Sequence, residues 1–429
     1  MKKKSLNVIT LGCSKNLVDS ERILGQLPAG KFRLSHDANG PTDIVIINTC
    51  GFIKDAKQES IDTILQYVEA KKQGLVHEVI VTGCLSQRYK EDLQKEIPEA
   101  DAWFGAREPD DLFEYLSLKF SRESGKRHLT TPSHYAYLKI AEGCDRTCSF
   151  CAIPMIRGAF RSRTIESLIE EAQNLADKGV KELMLIAQDL SYYGYDLEKR
   201  PLLAPLLGKL SQVNGIEWIR LHYAYPKNFP EEVIQIMANN PKICRYIDIP
   251  VQHINDRILK AMRRGHDKQA TLQLLEKFRQ KIPGVALRTT LMVGFPGETR
   301  KEFEELLWFV KLARFERLGV FTYSPEESTA AFALGDPIPE KEKQKRANEL
   351  MELQAEISGA LNEEKIGKTF NVLIDREEGE YFIGRTEFDS PEVDNEVLVE
   401  KTADIIIGNF VNVKITSATD FELFGVAFK

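Results

Sequence analysis

The sequence predicts an α/β protein in three parts: an N-terminal parallel-sheet domain over residues 1–130, an open (β/α)6 partial barrel over residues 131–364, and a small C-terminal β-barrel over residues 365–429. Three observations support this prediction. Short apolar runs alternate with helical patterns through the first two parts, five β-rich segments follow one another in the tail, and 429 residues exceed one ordinary domain.

The N-terminal part contains three predicted strands with a helical pattern among them. The strands lie at residues 6–11, 43–48 and 78–82, and the helix at residues 55–72. The second strand is a continuous apolar run, which is typical of a strand buried on both faces of a parallel sheet. Binding sites in such sheets form beyond the carboxyl ends of the strands.

The middle part alternates strands with helices such as those predicted at residues 167–178 and 301–313. Six such units make an open barrel whose chemistry takes place at the carboxyl mouth. The six strands are predicted at residues 135–140, 182–187, 217–221, 246–249, 287–293 and 318–322.

The tail begins after a highly charged helical pattern at residues 340–364. Five short strands predict a small barrel that resembles an oligonucleotide-binding barrel. They lie at residues 369–374, 381–384, 396–399, 410–413 and 423–426.

Three cysteines in the middle part, Cys144, Cys148 and Cys151, have the spacing C-x-x-x-C-x-x-C. Their thiolates can hold three corners of a 4Fe-4S cube and leave one iron open to an exogenous ligand, which suits catalysis. The alternative is a partial zinc site. Zinc sites usually add a second cysteine pair or histidines, and His128 and His134 lie upstream at no standard spacing.

A second set of cysteines, Cys13, Cys50 and Cys84, follows the three N-terminal strands, each beside a glycine. Parallel topology brings these positions together, and glycine lets the backbone approach a bulky ligand. We interpret them as ligands of a second 4Fe-4S cluster with one open iron. The alternative is that they are ordinary buried cysteines, which is the role expected for the remaining Cys244.

Composition predicts a cytoplasmic protein without a membrane segment. No apolar run approaches the roughly 20 residues that span a bilayer. The chain has seven cysteines. In a reducing compartment these are expected to bind metal or serve catalysis rather than form structural disulfides.

Several segments resemble the methylthiotransferases of the radical S-adenosylmethionine (SAM) superfamily, and the resemblance covers essentially the whole chain. The segments are residues 144–151, 151–158, 161–163, 252–253 and 293–299. Residues 186–189 and 193–196 are more similar to the branch that modifies a ribosomal protein than to the branch that modifies tRNA.

The resemblance implies a radical SAM barrel, a TRAM-type tail and two 4Fe-4S clusters. An electron from the Cys144/Cys148/Cys151 cluster would split SAM, and the radical so formed would take hydrogen from the substrate. Sulfur would wait at the other cluster. The implied substrate is the β-carbon of an aspartate in the basic small-subunit ribosomal protein twelve, and an external one-electron reductant and a sulfur donor are required. Two alternatives stay open: methylthiolation of an adenosine in tRNA, and a carrier of electrons or clusters.

Other site residues follow from the motifs. Phe150 matches the aromatic residue that the superfamily favours before the third cysteine. SAM contacts are expected from Gln188 and Asp189 after the second barrel strand, and from the turn containing Gly294 and Gly297. Arginines beyond the cysteines can grip a carboxylate of SAM or of the substrate bidentately, and fold-stabilising pairs are the alternative for each. They are Arg157, Arg161 and Arg163.

The excess negative charge lies in the tail. Residues 365–429 hold seven Lys and Arg against thirteen Asp and Glu, a net charge of −6 that equals the net charge of the whole chain. Such a surface would repel RNA and attract a basic protein, unless it only maintains solubility. The acids concerned are Glu377, Glu378, Glu380, Glu387, Asp389, Glu392, Asp394 and Glu396.

Overall fold

In the computed structural model the chain forms two compact units. The structure describes residues 3–121, 125–401 and 404–428, and all counts of strands and contacts refer to these. The first unit comprises Met1–Thr131, Tyr137–Arg146 and Cys151–Glu171, and the second comprises Pro132–Ala136, Thr147–Phe150 and Ala172–Lys429. The loop that contains Cys144, Cys148 and Cys151 is therefore divided between the two units. The three domain boundaries given above stay a prediction.

The first unit is built on a five-stranded parallel sheet with apolar cores on both faces. Ile44 and Ile46 enter one core, and Val45 and Ile47 enter the other. This explains why the strand is apolar at consecutive positions. Across the sheet the strands are Phe32–His36, Lys4–Thr10, Thr42–Thr49, Val76–Gly83 and Ala102–Trp103.

Both edge strands of this sheet were missed by the sequence prediction. Phe32–His36 buries only its first residue fully, so its sequence lacks the apolar run that marks a central strand. Ala102–Trp103 has only two residues. The helices of this unit are Ser14–Gln26, Lys54–Lys72, Cys84–Glu96, Pro109–Tyr115 and Ile153–Arg157, and a short antiparallel pair joins Ala141–Glu142 to Arg161–Ser162.

The second unit contains the predicted open sheet of six strands. Their order across the sheet is Arg317–Thr322, Ala286–Val293, Ile243–Asp248, Trp218–Leu221, Glu182–Ile186 and Tyr135–Lys139. The connecting α-helices are Ile165–Ala176, which begins in the first unit, and Tyr195–Glu198, Leu203–Leu210, Glu231–Asn239, Asp256–Ala261, Lys268–Lys281 and Arg300–Ala313, with short 3-10 turns at Leu190–Tyr192 and Phe332–Leu334.

The long helix Glu340–Glu363 leads into a closed barrel, as predicted. Valine, isoleucine and leucine side chains from its strands fill the interior. The strands, in order around the barrel, are Thr369–Glu378, Tyr381–Arg385, Glu396–Glu400, Glu422–Phe428 and Phe410–Ala418.

Two acids in the segment 386–395 of this barrel contact arginines of the open sheet, within the second unit. Asp389 pairs with Arg317, and Asp394 lies 3.3 Å from Arg288. Two of the acids assigned to a partner-binding surface are therefore interior, with side chains 0% and 1% exposed. That part of the surface prediction is wrong, because the sequence does not reveal which acids face buried arginines.

Replacing Asp389 with alanine is expected to lower the free energy of unfolding by about 3–5 kcal/mol, since it leaves the buried Arg317 without its counter-charge. Burial opposes ionisation of Asp389, but Arg317 outweighs it and lowers the pKa of the carboxyl. The pair's contribution is therefore complete above the unfolded value of about 3.9 and is lost as pH falls through the lower folded value. Urea unfolding at neutral and acid pH measures both effects.

The control for this change is Glu380→Ala, which removes an exposed carboxylate from the same barrel. Surface substitutions of this kind usually change stability by less than about 0.5 kcal/mol. Equal losses from the two variants would show that the Asp389–Arg317 pair does not stabilise the packing of segment 386–395.

Candidate active site

The first three predicted ligands lie together at the carboxyl edge of the first unit's sheet. Cys13 precedes the helix Ser14–Gln26, and Cys84 begins the helix Cys84–Glu96. Cys50 follows the strand Thr42–Thr49. Cys13 and Cys84 thus stand at helix N-termini, whose partial positive charge stabilises the negative charge of a metal-bound thiolate.

The glycines beside these cysteines allow the three loops to approach one another. A Cβ atom on Gly12 would lie 2.8 Å from the Cys50 Sγ, and one on Gly83 would lie 2.5 Å from the Thr49 oxygen. Both glycines have positive φ, +88° and +102°, which other residues rarely adopt. The predicted reason for the glycines therefore needs correction: the backbone approaches neighbouring protein atoms.

The three thiols lie close enough to influence one another electrostatically. Burial raises the pKa of Cys84 to about 11 although Arg157 opposes the shift, and Cys13 and Cys50 make smaller contributions in the same direction as burial. Burial also raises the pKa of Cys50, with a contribution from Cys13. The raised pKa values favour the protonated thiols of Cys50 and Cys84 in the absence of a cation, and metal binding would displace these protons.

The donor set fits a 4Fe-4S cube with three protein ligands. In the described part of the chain, no three histidine, cysteine or carboxylate side chains are close enough to enclose a single metal ion. A cube has a different requirement, because each thiolate binds its own iron and the sulfur atoms stand farther apart. The soft sulfur donors and their mutual charge effects agree with such a group.

Arg157 approaches this triad from the segment that follows Cys151. It is 4% exposed, donates a hydrogen bond to Asn16 and lies 2.6 Å from the Asp19 carboxylate. The Cys84 thiol is 3.5 Å from the same Asn16 oxygen. Arg157 therefore links the loop after Cys151 to the N-terminal triad within the first unit.

Each part of the loop that contains Cys144, Cys148 and Cys151 contacts other residues of its own unit. In the first unit, the Cys144 amide donates to Gly158 at 3.1 Å, and Ala152 packs with Cys84 in one buried cluster. In the second unit, the Ser149 amide donates to Met262 at 3.0 Å. Cys144, Cys148 and Cys151 fall within eight consecutive residues. This short spacing keeps all three within reach of one cluster.

Phe150, a predicted cofactor contact, is partly buried against an apolar cluster of the second unit that includes Ile258, Phe295 and Tyr323. It fixes the loop segment that carries Cys148. This packing gives the aromatic residue before the third cysteine a positional role, and its contact with SAM stays a prediction.

The three arginines beyond the loop differ in their surroundings. Arg157 is occupied by protein partners, and Arg163 lies 2.6 Å from the Glu171 carboxylate. Arg161 is exposed. Substrate binding thus stays a prediction for all three, and Arg161 is the one whose guanidinium an incoming carboxylate can reach without displacing a protein carboxylate.

The predicted SAM contacts also differ from one another. Gln188 is half-buried beyond the strand Glu182–Ile186. Asp189 accepts hydrogen bonds from the amide and hydroxyl of Ser191 at 2.9 and 2.5 Å, so its carboxylate caps the short turn Leu190–Tyr192.

The glycine turn is occupied by protein. A Cβ atom on Gly294 would lie 2.2 Å from the Lys343 Cγ, so the space beside it holds a lysine and not an adenine. The Gly297 carbonyl accepts from Arg257 at 2.6 Å. Contact of this turn with SAM elsewhere along its backbone stays a prediction.

Two residues that were not predicted from the sequence contact cysteines of the two triads. Asn16 contacts Cys84, and Arg264 donates from Nη1 to the Cys148 Sγ at 3.4 Å. No motif marks either residue, since both contacts join positions far apart in sequence. As predicted, Cys244 packs in an apolar core, where burial raises its pKa to about 12.

Three family models match the chain. Residues 138–310 match the radical SAM superfamily, residues 5–105 match the uncharacterized protein family UPF0004, and residues 366–427 match the TRAM domain. Among the described residues, no helix is both long and apolar enough to cross a membrane.

Curated relatives match over nearly their full length. The chain is 57% identical over 427 residues to a protein of Christiangramia forsetii named ribosomal protein uS12 methylthiotransferase RimO, and the match covers 99% of this chain and 94% of the relative. Proteins of the same name from Flavobacterium johnsoniae and Cytophaga hutchinsonii are 56% and 54% identical, covering 99% and 100% of this chain and 98% of each relative.

Solved structures share the fold at low identity. The cobalamin-binding radical SAM methyltransferase TsrM of Kitasatospora setae has a TM-score of 0.57 at 13% identity and covers 77% of each chain. The cobalamin-dependent radical SAM enzyme OxsB has a TM-score of 0.52 at 13% identity, covering 81% of this chain and 56% of that one. These likenesses concern the fold alone.

Proposed function

Because this chain belongs to the family of the ribosomal protein uS12 methylthiotransferases (RimO), we propose that it attaches a methylthio group to the β-carbon of an aspartate in uS12, the small-subunit ribosomal protein twelve. As a radical SAM protein it uses SAM and an iron–sulfur cluster. The proposal adds a second cluster, an external one-electron reductant and a sulfur donor.

One observation carries the proposal: residues adjoining the two cysteine triads meet in the first unit. Cys84 packs with Ala152, the neighbour of Cys151, and shares Asn16 with Arg157. Radical chemistry at one triad and sulfur delivery at the other have to act on the same substrate carbon, so the triads have to be close. An electron carrier has no need of this arrangement.

The cofactors supply what no side chain can: a reduced cluster with SAM gives a radical able to break an unactivated C–H bond. The protein's share is to hold and orient these groups and to exclude competing reactions. In this proposal Cys144, Cys148 and Cys151 hold the SAM cluster, and Cys13, Cys50 and Cys84 hold the other. Arg161 meets the substrate carboxylate.

The remaining acidic face of the tail supports a basic protein substrate. Of the eight acids, Glu387 lies 2.6 Å from Arg245 and Glu396 lies 2.6 Å from Arg376, and two more are buried as described above. Glu377 lies 2.6 Å from Lys401 and Glu378 lies 3.0 Å from Arg376, but both side chains stay more than half exposed. The four acids classed as exposed are Glu377, Glu378, Glu380 and Glu392.

Replacing these four glutamates with lysine is expected to weaken binding of purified uS12 by on the order of tenfold at low ionic strength, because complementary charge steers association. The difference should shrink as salt screens the charges. Binding isotherms at several salt concentrations measure it.

The matched control reverses four exposed acids of the first unit and so makes the same change in net charge. Unequal losses assign the effect to the tail, and equal losses would show that only net charge matters. The control positions are Glu91, Asp92, Glu96 and Glu99.

The direct test of the function offers two substrates to the anaerobically reconstituted chain with SAM, sulfide and a reductant. We expect a methylthio group on one aspartate of purified uS12, seen by peptide mass analysis, and none on uS12 in which that aspartate is alanine. Methylthiolation of unmodified tRNA with no product on uS12 would overturn the proposal.

A further inference from the structure

Arg264 is a buried arginine of the second unit whose guanidinium contacts a predicted cluster ligand. It follows the helix Asp256–Ala261 and is 5% exposed. Its Nη1 donates to the Cys148 Sγ at 3.4 Å, and its Nη2 donates to the Pro250 carbonyl. The guanidinium lies 4.3 Å from the centre of the Tyr225 ring. These contacts hold it over Cys148.

Its charge has no carboxylate partner among the described residues. The other deeply buried arginines do have one: Arg127 pairs with Glu21, Arg220 with Glu182, and Arg317 with Asp389. The Arg264 Nε is also buried without a hydrogen-bond partner. A buried cation is costly unless an anion compensates for it, so the site is built for negative charge beside Cys148.

We propose that Arg264 is the counter-charge of the SAM-binding cluster and raises its reduction potential through the hydrogen bond to Cys148. Hydrogen bonds to the sulfur atoms and net charge set the potentials of iron–sulfur clusters. Reduction adds one electron to the cluster, and a guanidinium against a ligand sulfur stabilises that more negative state. Arg264 thus assists the entry of an electron by acting on the cluster and not on the substrate. The inference rests on the proposed role of Cys148 as a cluster ligand.

The test uses the full chain with Cys13, Cys50 and Cys84 replaced by alanine. The measured iron and potential then belong to the SAM-binding cluster alone. Arg264→Gln and Arg264→Lys are introduced into this parent, and Arg263→Gln is the matched control because Arg263 is the exposed neighbour. Iron content and the midpoint potential are measured without SAM, the latter by a redox titration followed by electron paramagnetic resonance.

Arg264→Gln is expected to shift the one-electron equilibrium at least tenfold toward the oxidised cluster, a fall of about 59 mV. Arg264→Lys should give a smaller fall, and Arg263→Gln should leave the potential unchanged. Equal potentials in Arg264→Gln and Arg263→Gln would overturn the proposal. So would weaker SAM binding in Arg264→Gln without a change in potential, which would assign the guanidinium to SAM.

Loss of the cluster is also informative. If Arg264→Gln retains no iron, Arg264→Lys is expected to retain it, because it keeps the charge. Loss of iron from both variants would overturn the proposal by showing that the arginine is needed for packing on Tyr225. A parent without iron would instead contradict the cluster assignment of Cys144, Cys148 and Cys151, which is a failure of the proposed function.

Discussion

Replacing Cys144, Cys148 and Cys151 together with alanine is expected to halve the iron content, from about eight to about four atoms per chain, and to abolish SAM cleavage. The reason is that the three thiolates hold one cube of four irons, and electron transfer to SAM requires that cube. Iron analysis after anaerobic reconstitution and chromatographic measurement of 5′-deoxyadenosine test both statements.

The control for this variant is Cys244→Ala, which removes a buried thiol outside both triads. It should keep the full iron content and the SAM cleavage of the wild type. Continued formation of 5′-deoxyadenosine by the triple variant would contradict the assignment of the SAM cluster.

Replacing Cys13, Cys50 and Cys84 should likewise halve the iron, but SAM cleavage should remain measurable while methylthiolated product disappears. The two triads have different tasks: radical formation needs only Cys144, Cys148 and Cys151, and sulfur delivery needs the N-terminal cysteines. Iron content, 5′-deoxyadenosine and product mass, measured on one preparation, show whether the tasks are separate.

The outcome that would refute the second cluster is unchanged iron in that variant. Product formation at the wild-type rate would be equally decisive, because it would show that sulfur reaches the substrate without the N-terminal cysteines. Loss of SAM cleavage together with product would mean that the two triads do not act independently.

The strands and helices that form the cores could be predicted because buried positions require apolar residues, which appear in the sequence as periodic patterns or continuous apolar runs. The strand Thr42–Thr49 is apolar at successive positions since cores lie on both of its faces. The edge strand Phe32–His36 has no such requirement and was missed. Of its five residues only Phe32 is buried, and with Leu34 it contacts one core, so the composition of this strand resembles that of a loop.

The cysteines of the site were predictable because few residue types can hold an iron–sulfur cluster and their spacing is distinctive. The polar residues around them were not. Arg157 pairs with Asp19, and Arg264 contacts Cys148. In both pairs the two residues are more than 100 positions apart in the sequence. Whether an acid or an arginine is buried depends on whether the fold places an opposite charge beside it, as it does for Asp389 and Arg317.

Mass analysis of uS12 and tRNA from cells that lack this chain tests the central claim most directly. We predict that uS12 loses one methylthio group from an aspartate and that tRNA is unchanged. Expression of the wild-type chain should restore the group, and expression of the Cys84→Ala variant should not. An unchanged uS12, or a methylthio group missing from a tRNA nucleoside instead, would contradict the account.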